Sequence, residues 1–383
     1  MQATRHSYNI TPYMSTEKSM KILISGGGTG GHIFPALAIA GALRRRHPDC
    51  EILFVGASNR MEMERVPAAG YKIVGLPVSG FNRKNILANF KVIYHLAKSM
   101  LIARKVLKTF KPDIAIGVGG YASGPMLKQA QKHGIPTLIQ EQNSYAGVTN
   151  KLLAKKASAI CTAYPGMDKF FPGEKITLTG NPVRETITAN AVSPQEARRQ
   201  LGLPEDKPVL LVVGGSLGAR TINQSVEASL EKWKQEGIFT LWQTGKFYAE
   251  KCSEIAGKYR DSVIATPFID RMDLAYRAAD LVVSRAGAGT ISELQLLSKP
   301  AVLVPSPNVA EDHQRRNAEA LATRGAAVMV LDADAPSKLQ DTVVSLITDP
   351  GRLCKTGEAA GKMALPKADE KIVDIIDNIL AKK

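Results

Sequence analysis

Long apolar runs, aromatic residues, paired cysteines and acidic charge are all scarce in this chain. Even the stretch "PALAIAGAL" stops at Arg44-Arg45-Arg46, well short of the ~20 apolar residues that span a bilayer, so no transmembrane helix is expected. Aromatic residues make up only 6% of the 383 residues, and no RNP-like or basic-helix motif accompanies them. That argues against a nucleic-acid-binding protein. Cys50, Cys161, Cys252 and Cys354 lie far apart with no CxxC or Cys/His cluster, which leaves a disulfide framework and a zinc site unsupported. Reduced, mostly buried thiols of a cytosolic protein are expected instead. His6, His47, His95, His133 and His313 show no paired ligand spacing. With 35 acidic residues against 50 basic ones the formal charge is +15, a balance that favours anionic partners. Residues 1–19 have no apolar core and no periodicity, and read as a disordered leader rather than a signal peptide, with Met20 a candidate start.

From Lys21 onward, short apolar runs alternate with longer helical patterns. "KILIS", "EILFVGA", "YKIVGL", "DIAIGVGG", "PTLIQEQ" and "AICTAY" are the expected strands of a first half. Prolines and polar residues then interrupt the rhythm, and a linker is expected near residues 180–205. It resumes with "VLLVVGGS", "IFTLWQTG", "SVIATPF", "DLVVSRAG", "PAVLVPS" and "AAVMVL". Such alternation predicts parallel sheets covered by helices on both faces. The fold class is α/β: two Rossmann-like domains, 20–182 and 183–364, facing one another across a cleft. A final helix within 365–383 either closes the second half or crosses back onto the first.

Glycine is abundant where these strands end. Gly26, Gly28 and Gly31 satisfy G-x-G-x-x-G between a strand and a helix, a setting that brings backbone N–H groups close to an anion or a sugar. A dinucleotide-binding oxidoreductase would place an acidic residue at the end of the next strand. Here "EILFVGASN" ends without one, and Glu51 sits at its start, so that reading loses its second support. "VVGGSLGARTIN" and "GVGGYASGP" repeat the device. In "SRAGAGTISEL" the residues admit two readings: Thr290-x-x-Glu293 forms a capping box, or small residues at the helix start admit a diphosphate while Glu293 accepts ribose hydroxyls. Asp332-x-Asp334 has the form of a metal-binding DxD but follows the last strand, and is read as a solvated loop.

The ordered blocks "GGGTGGHIFPALAIA", "GVGGYASGP", "QEQNSYAGVTNK", "TGNPVR", "GGSLGARTIN", "SRAGAGTISEL" and "EDHQRRNA", over residues 21–380, resemble the MurG family. These are N-acetylglucosaminyltransferases of bacterial peptidoglycan synthesis with the GT-B fold. The resemblance implies inverting transfer of N-acetylglucosamine from UDP-N-acetylglucosamine to the C4 hydroxyl of undecaprenyl-diphospho-muramoylpentapeptide (lipid I), giving lipid II. The alternative is a UDP-N-acetylglucosamine 2-epimerase of the same architecture. By similarity Thr29, Gly30, Gly31 and Asn143 face the donor sugar, Arg184 and Ser216 meet the diphosphate, and the Ile269 backbone reads the uracil. Ala288, Gly289, Thr290, Ile291, Ser292 and Glu293 carry the diphosphate and ribose, and Gln314 contacts sugar hydroxyls. It further implies a place on the cytoplasmic face of the inner membrane, a role in cell shape and division, and contacts with other proteins of cell-wall synthesis.

Inverting transfer needs a base and stabilisation of the departing UDP, not a covalent nucleophile, and a helix N-terminus with Arg184 supplies the latter without an obligatory metal or other cofactor. His32 is expected as base or positioning group with Glu141 as its partner, against the plainer reading of a helix-start histidine as cap or packing group. Tyr121, Gly119 and Gly120 are expected on the acceptor side. In the helical stretch after Phe81, the stripe Ile86, Phe90, Ile93, Ala97 and Met100 is expected mainly to cover the sheet. At its start Phe81, Ile86, Leu87 and Phe90, rimmed by Arg83, Lys84 and Lys91, suit docking on an anionic membrane surface.

Overall fold

The computed structural model describes residues 19–28, 30–80, 88–189, 191–215 and 217–382. The first half runs β1 (Lys21–Ser25), α1 (Gly30–Arg46), β2 (Glu51–Ala57), α2 (Glu62–Ala68), β3 (Lys72–Leu76), α3 (Ala88–Phe110), β4 (Ile114–Gly117), α4 (Ser123–Lys132), β5 (Thr137–Glu141), α5 (Val148–Ala154), β6 (Ala159–Thr162) and β7 (Ile176–Leu178). Its sheet is parallel throughout, in the order β3-β2-β1-β4-β5-β6-β7. β4 and β5 are buried along their whole length, as continuous apolar runs between two helix layers should be.

Two short helices follow, α6 (Glu185–Ala189) and α7 (Pro194–Leu201). The stretch expected as a linker is therefore partly helical. α7 has a full set of end signals: Ser193 Oγ accepts from the Glu196 N–H at 3.1 Å, Pro194 opens the helix, and Gly202 ends it with φ 66°, as helix termini require. Ile187, Ala197 and Leu203 bury their side chains in the core of the second half.

That half contains β8 (Val209–Val213), α8 (Arg220–Gln235), β9 (Phe239–Gln243), α9 (Ala249–Ala256), β10 (Val263–Thr266), α10 (Met272–Ala278), β11 (Leu281–Ser284), α11 (Ala288–Leu296), β12 (Ala301–Leu303), α12 (His313–Ala322), β13 (Val328–Met329), α13 (Ala335–Ile347), α14 (Pro350–Lys362) and α15 (Ala368–Ala381). The sheet order is β10-β9-β8-β11-β12-β13, again all parallel. α15 leaves the second half and packs on the first. Ile372, Val373 and Ile376 share a core with Ile39, Ala40 and Leu43 of α1, and Arg45–Asp369 (2.9 Å) and His47–Asp377 (2.8 Å) rim the contact.

Strand order reverses between β1 and β4 in one sheet and between β8 and β11 in the other. Open α/β sheets bind ligands at such switch points, beyond the strand C-termini. All four glycine- or alanine-rich turns of the sequence leave these four strands.

α3 corrects one expectation about its buried side. Its inward residues are Val92, Ser99, Ala103 and Leu107, while Phe90 (70% exposed), Ile93, Tyr94 and Leu101 face outward; Ala97 is exposed as well, and Met100 is half-buried. Both sides of this helix carry apolar residues, so spacing alone gave the period but not the buried face. Phe81, Arg83, Lys84, Ile86 and Leu87 lie outside the described residues. Cys50, Cys161, Cys252 and Cys354 are unpaired, the first three buried.

Candidate active site

The first wall of the cleft is the turn after β1. Gly27 and Gly28 have φ of 146° and 94°, in the region that favours glycine, and a buried carboxylate from α2 holds them there. Glu62 Oε1 accepts from the N–H groups of Gly28 (3.0 Å) and Ala57 (2.9 Å), and its Oε2 from Gly28 at 3.1 Å. The turn after β4 fits against this one: Gly120, φ 83°, leaves room for the Gly27 carbonyl that a Cβ would overlap.

His32 stands in the first turn of α1, with Gly119 so near that a Cβ there would lie 2.9 Å from its Nε2. A hydrogen bond to the Gly27 backbone favours the protonated ring, but burial and the charge of His313 oppose it more strongly and push the pKa down to about 4. The imidazole is thus neutral at pH 7 and able to accept a proton. His313 begins α12 in the second half, so a charge on that half is felt at His32.

Glu141, 2% exposed, ends β5. Its Oε1 accepts from the N–H of Asn143 (3.1 Å) and from Asn143 Nδ2 (3.3 Å), and its Oε2 from the Gly147 N–H (3.0 Å) and Asn150 Nδ2 (2.8 Å). Three of these bonds come from the following loop, the fourth from Asn150 of α5 and none of the four from His32, so the carboxylate holds the loop against that helix. Asn143 is thereby aimed at the second half, where Asn317 Nδ2 of α12 donates to its Oδ1 at 3.2 Å. The fully buried Asn317 also accepts from Ser144 N at 3.0 Å.

A second polar chain joins the halves lower down. Gln142 Nε2 donates to the Val118 carbonyl (2.8 Å), Gln140 Nε2 to Asn181 Oδ1 (3.1 Å), and Asn181 Nδ2 to Ser292 Oγ of α11 (3.0 Å). Loop, linker and the start of α11 are thus in register.

The second wall is the N-terminus of α11. Gly287 is its N-cap and no side chain caps it among the described residues, which leaves its first N–H groups and the positive end of the helix for an anion. The capping-box reading of Thr290 and Glu293 does not hold, because Thr290 lies inside the helix. Glu293 instead accepts from Arg184 Nη2 (3.1 Å) and Tyr276 Oη (2.9 Å). Tyr276 is buried, and burial with the Glu293 charge raises its pKa well above the usual value. Arg184 also lies over the ring of Phe34, 4.9 Å from its centroid, so one guanidinium touches α1 and α11.

The other expected residues divide by exposure. Ile291 is core, and only its backbone reaches the turn. Gly289 has open space where a Cβ would stand, and Gln314 Oε1 accepts from Ser306 N at 2.9 Å. Ile269 is buried beside the half-exposed Phe268, and Tyr121 is exposed over Gly80. Thr29 and Ser216 lie outside the described residues. Asp332 is not a solvated loop residue: it pairs with Arg285 at the end of β11, and its other oxygen accepts from Thr221 of α8 at 2.9 Å. Among the described residues no group of three His, Cys, Asp or Glu is placed to hold a metal. Sequence reasoning missed Glu62, Tyr276, His313 and Asn317. His313 and Asn317 stand inside the block "EDHQRRNA" and Asn181 inside "TGNPVR", whereas Glu62 and Tyr276 lie in no quoted block.

Residues 22–162 match the glycosyltransferase family 28 N-terminal domain and residues 209–375 its C-terminal domain. The chain is 56% identical over 367 residues, 96% of its length and 100% of the relative's, to a Parabacteroides distasonis protein. That relative is named UDP-N-acetylglucosamine–N-acetylmuramyl-(pentapeptide) pyrophosphoryl-undecaprenol N-acetylglucosamine transferase. The crystal structure of Acinetobacter baumannii MurG superposes with a TM-score of 0.75 at 29% identity, covering 94% of this chain and 99% of that one. A Listeria monocytogenes structure described as a putative UDP-N-acetylglucosamine 2-epimerase, 14% identical with a TM-score of 0.68 over 95% of this chain and 97% of its own, shares the fold.

Proposed function

The chain belongs to glycosyltransferase family 28, and from that premise we propose how its cleft works. It is a UDP-N-acetylglucosamine-dependent N-acetylglucosaminyltransferase that acts on the lipid-linked N-acetylmuramoyl-pentapeptide of peptidoglycan synthesis. What carries this over the epimerase reading is the 56% identity along the whole chain to a transferase, against a likeness of fold alone to the epimerase.

The second half takes UDP. Its uracil lies at the backbone of Ile269, its ribose hydroxyls at Glu293, and its diphosphate at the open N-terminus of α11, beside Arg184 and Ser216. Arg184 and Tyr276 keep the Glu293 carboxylate turned toward the ribose. The N-acetylglucosamine projects toward Asn143, Gln314 and the first glycine turn, Thr29 to Gly31. The acceptor sugar enters from the first half, past Gly119, Gly120 and Tyr121. Its C4 oxygen attacks the anomeric carbon as the bond to UDP breaks, and its proton passes to His32. The negative diphosphate, once bound nearby, raises the basicity of that ring. Helix N–H groups and Arg184 meet the charge that develops on UDP, so the chemistry calls for no obligatory metal.

Membrane contact falls to α3. Among the described residues no helix is long and apolar enough to cross a membrane, but Phe90, Ile93, Tyr94 and Leu101 form an outward apolar face with the exposed Lys91, Lys98, Arg104 and Lys105 beside it. A basic-rimmed apolar helix face lies in an anionic lipid interface, where a polyprenyl-linked acceptor resides.

Labelled UDP-N-acetylglucosamine incubated with a short-chain lipid I analogue tests the reading. Acceptor-dependent labelled product, unchanged in EDTA, supports it. Release of UDP or epimerised sugar without acceptor overturns it.

A further inference from the structure

Behind the first glycine turn lies a carboxylate that the reaction above leaves without a role. Glu62 opens α2, is completely buried, and directs its oxygens at backbone N–H groups of two segments, Gly28 in the turn and Ala57 at the end of β2. A glycine turn that binds phosphate offers N–H groups of this kind to the ligand. Here the protein's own carboxylate already takes the Gly28 N–H. The fit leaves no slack: a Cβ on Gly27 would overlap Glu62 Oε1, and one on Gly56 would stand 2.6 Å from Glu62 Cγ.

Two consequences follow for the cleft. A second anion beside a buried carboxylate meets like-charge repulsion at low dielectric, so the turn favours a neutral sugar over a phosphate. The same carboxylate fixes the turn's shape, with Gly27 and Gly28 at positive φ. The Gly27 backbone then hydrogen-bonds the His32 ring, and its carbonyl seats against Gly120. Glu62 is thereby connected to His32 through one backbone segment, without touching substrate.

We propose that Glu62 is the positioning residue of the acceptor wall, an internal carboxylate that occupies the anion place of the first glycine turn and, through Gly27, aims His32 at the acceptor hydroxyl. This rests on His32 as the proton acceptor. It also leaves the UDP diphosphate to the second half, because the Gly28 N–H is already taken by a carboxylate.

The test compares the full chain with Glu62→Gln, which keeps the shape but replaces one acceptor oxygen by a donor facing N–H groups, and with Glu64→Gln on the exposed side of α2 as control. Thermal melting, UDP affinity and turnover with a short-chain lipid I analogue are measured on each. Glu62→Gln is expected to melt cooperatively, to bind UDP within about twofold of the parent chain, and to lose turnover on the order of 10²-fold, the cost of misplacing a reacting group. Turnover within threefold of the parent overturns the proposal. So does a UDP affinity that weakens as much as turnover falls, or a variant without cooperative melting, which would assign Glu62 to folding alone. Absence of acceptor-dependent transfer in the parent chain would instead remove the reading of function, whereas an active parent matched by Glu62→Gln removes only this inference.

Discussion

His32 on α1 feels His313 at the start of α12: burial, with the charge of His313 added, pushes the pKa of His32 down to about 4. Replacing His313 by Gln removes that repulsion. The acidic limb of the pH dependence of kcat/KM, which reports groups of the free enzyme, is expected to move to higher pH in His313→Gln. A limb that stays in place or moves to lower pH contradicts the pairing.

The same depression makes a statement about stability. His32 titrates near 4 when folded and near its ordinary 6.5 when unfolded, so the unfolded chain binds the extra proton between these values. The stability contributed by the neutral ring is full above pH 6.5 and is lost as pH falls from 6.5 to 4, to a limit of about 3 kcal/mol. Urea unfolding at pH 7.5 and pH 4.5 is expected to show a smaller difference in His32→Gln than in the parent chain.

Glu293 is held from two sides, by Arg184 and by the buried hydroxyl of Tyr276. Tyr276→Phe removes one hydrogen bond to a charged group, worth about 1.5–3 kcal/mol. The KM for UDP-N-acetylglucosamine is expected to rise about tenfold or more, with a smaller change in kcat. Steady-state kinetics in both substrates decides it: a change confined to the acceptor KM would place Glu293 away from the nucleotide.

The outward face of α3 gives a prediction independent of the chemistry. The double variant Phe90→Asp, Ile93→Asp is expected to lose flotation with anionic liposomes while keeping its turnover on a short-chain, water-soluble acceptor. Flotation unaffected both by these changes and by removal of anionic lipid would move the docking surface elsewhere.

Strands such as "VLLVV" and "FTLWQ" were legible because burial on both faces leaves a continuous apolar run. β7 was not, since its three residues sit on an edge with two side chains exposed. α7 falls in the stretch expected as linker: Ser193, Pro194 and Glu196 mark its start, but eight residues set among prolines are too few to show a helical apolar period. In the site, glycine turns show in the sequence since the backbone itself demands them. Their partners do not: Glu62 is 34 residues from Gly28, Asn317 is 174 from Asn143, and Tyr276 reads as any core aromatic. The Thr290-x-x-Glu293 spacing was real, yet the helix begins at Ala288, one residue past its Gly287 N-cap, so tertiary partners claim the carboxylate.

In the proposed mechanism the second half holds the nucleotide while His32, in the first half, takes the proton. This is tested most directly by measuring UDP-N-acetylglucosamine affinity and single-turnover transfer in His32→Ala. Affinity within about twofold of the parent chain is expected, with transfer slowed by about 10²-fold or more, the usual contribution of a general base. Near-parental transfer in a variant that binds both substrates would contradict it.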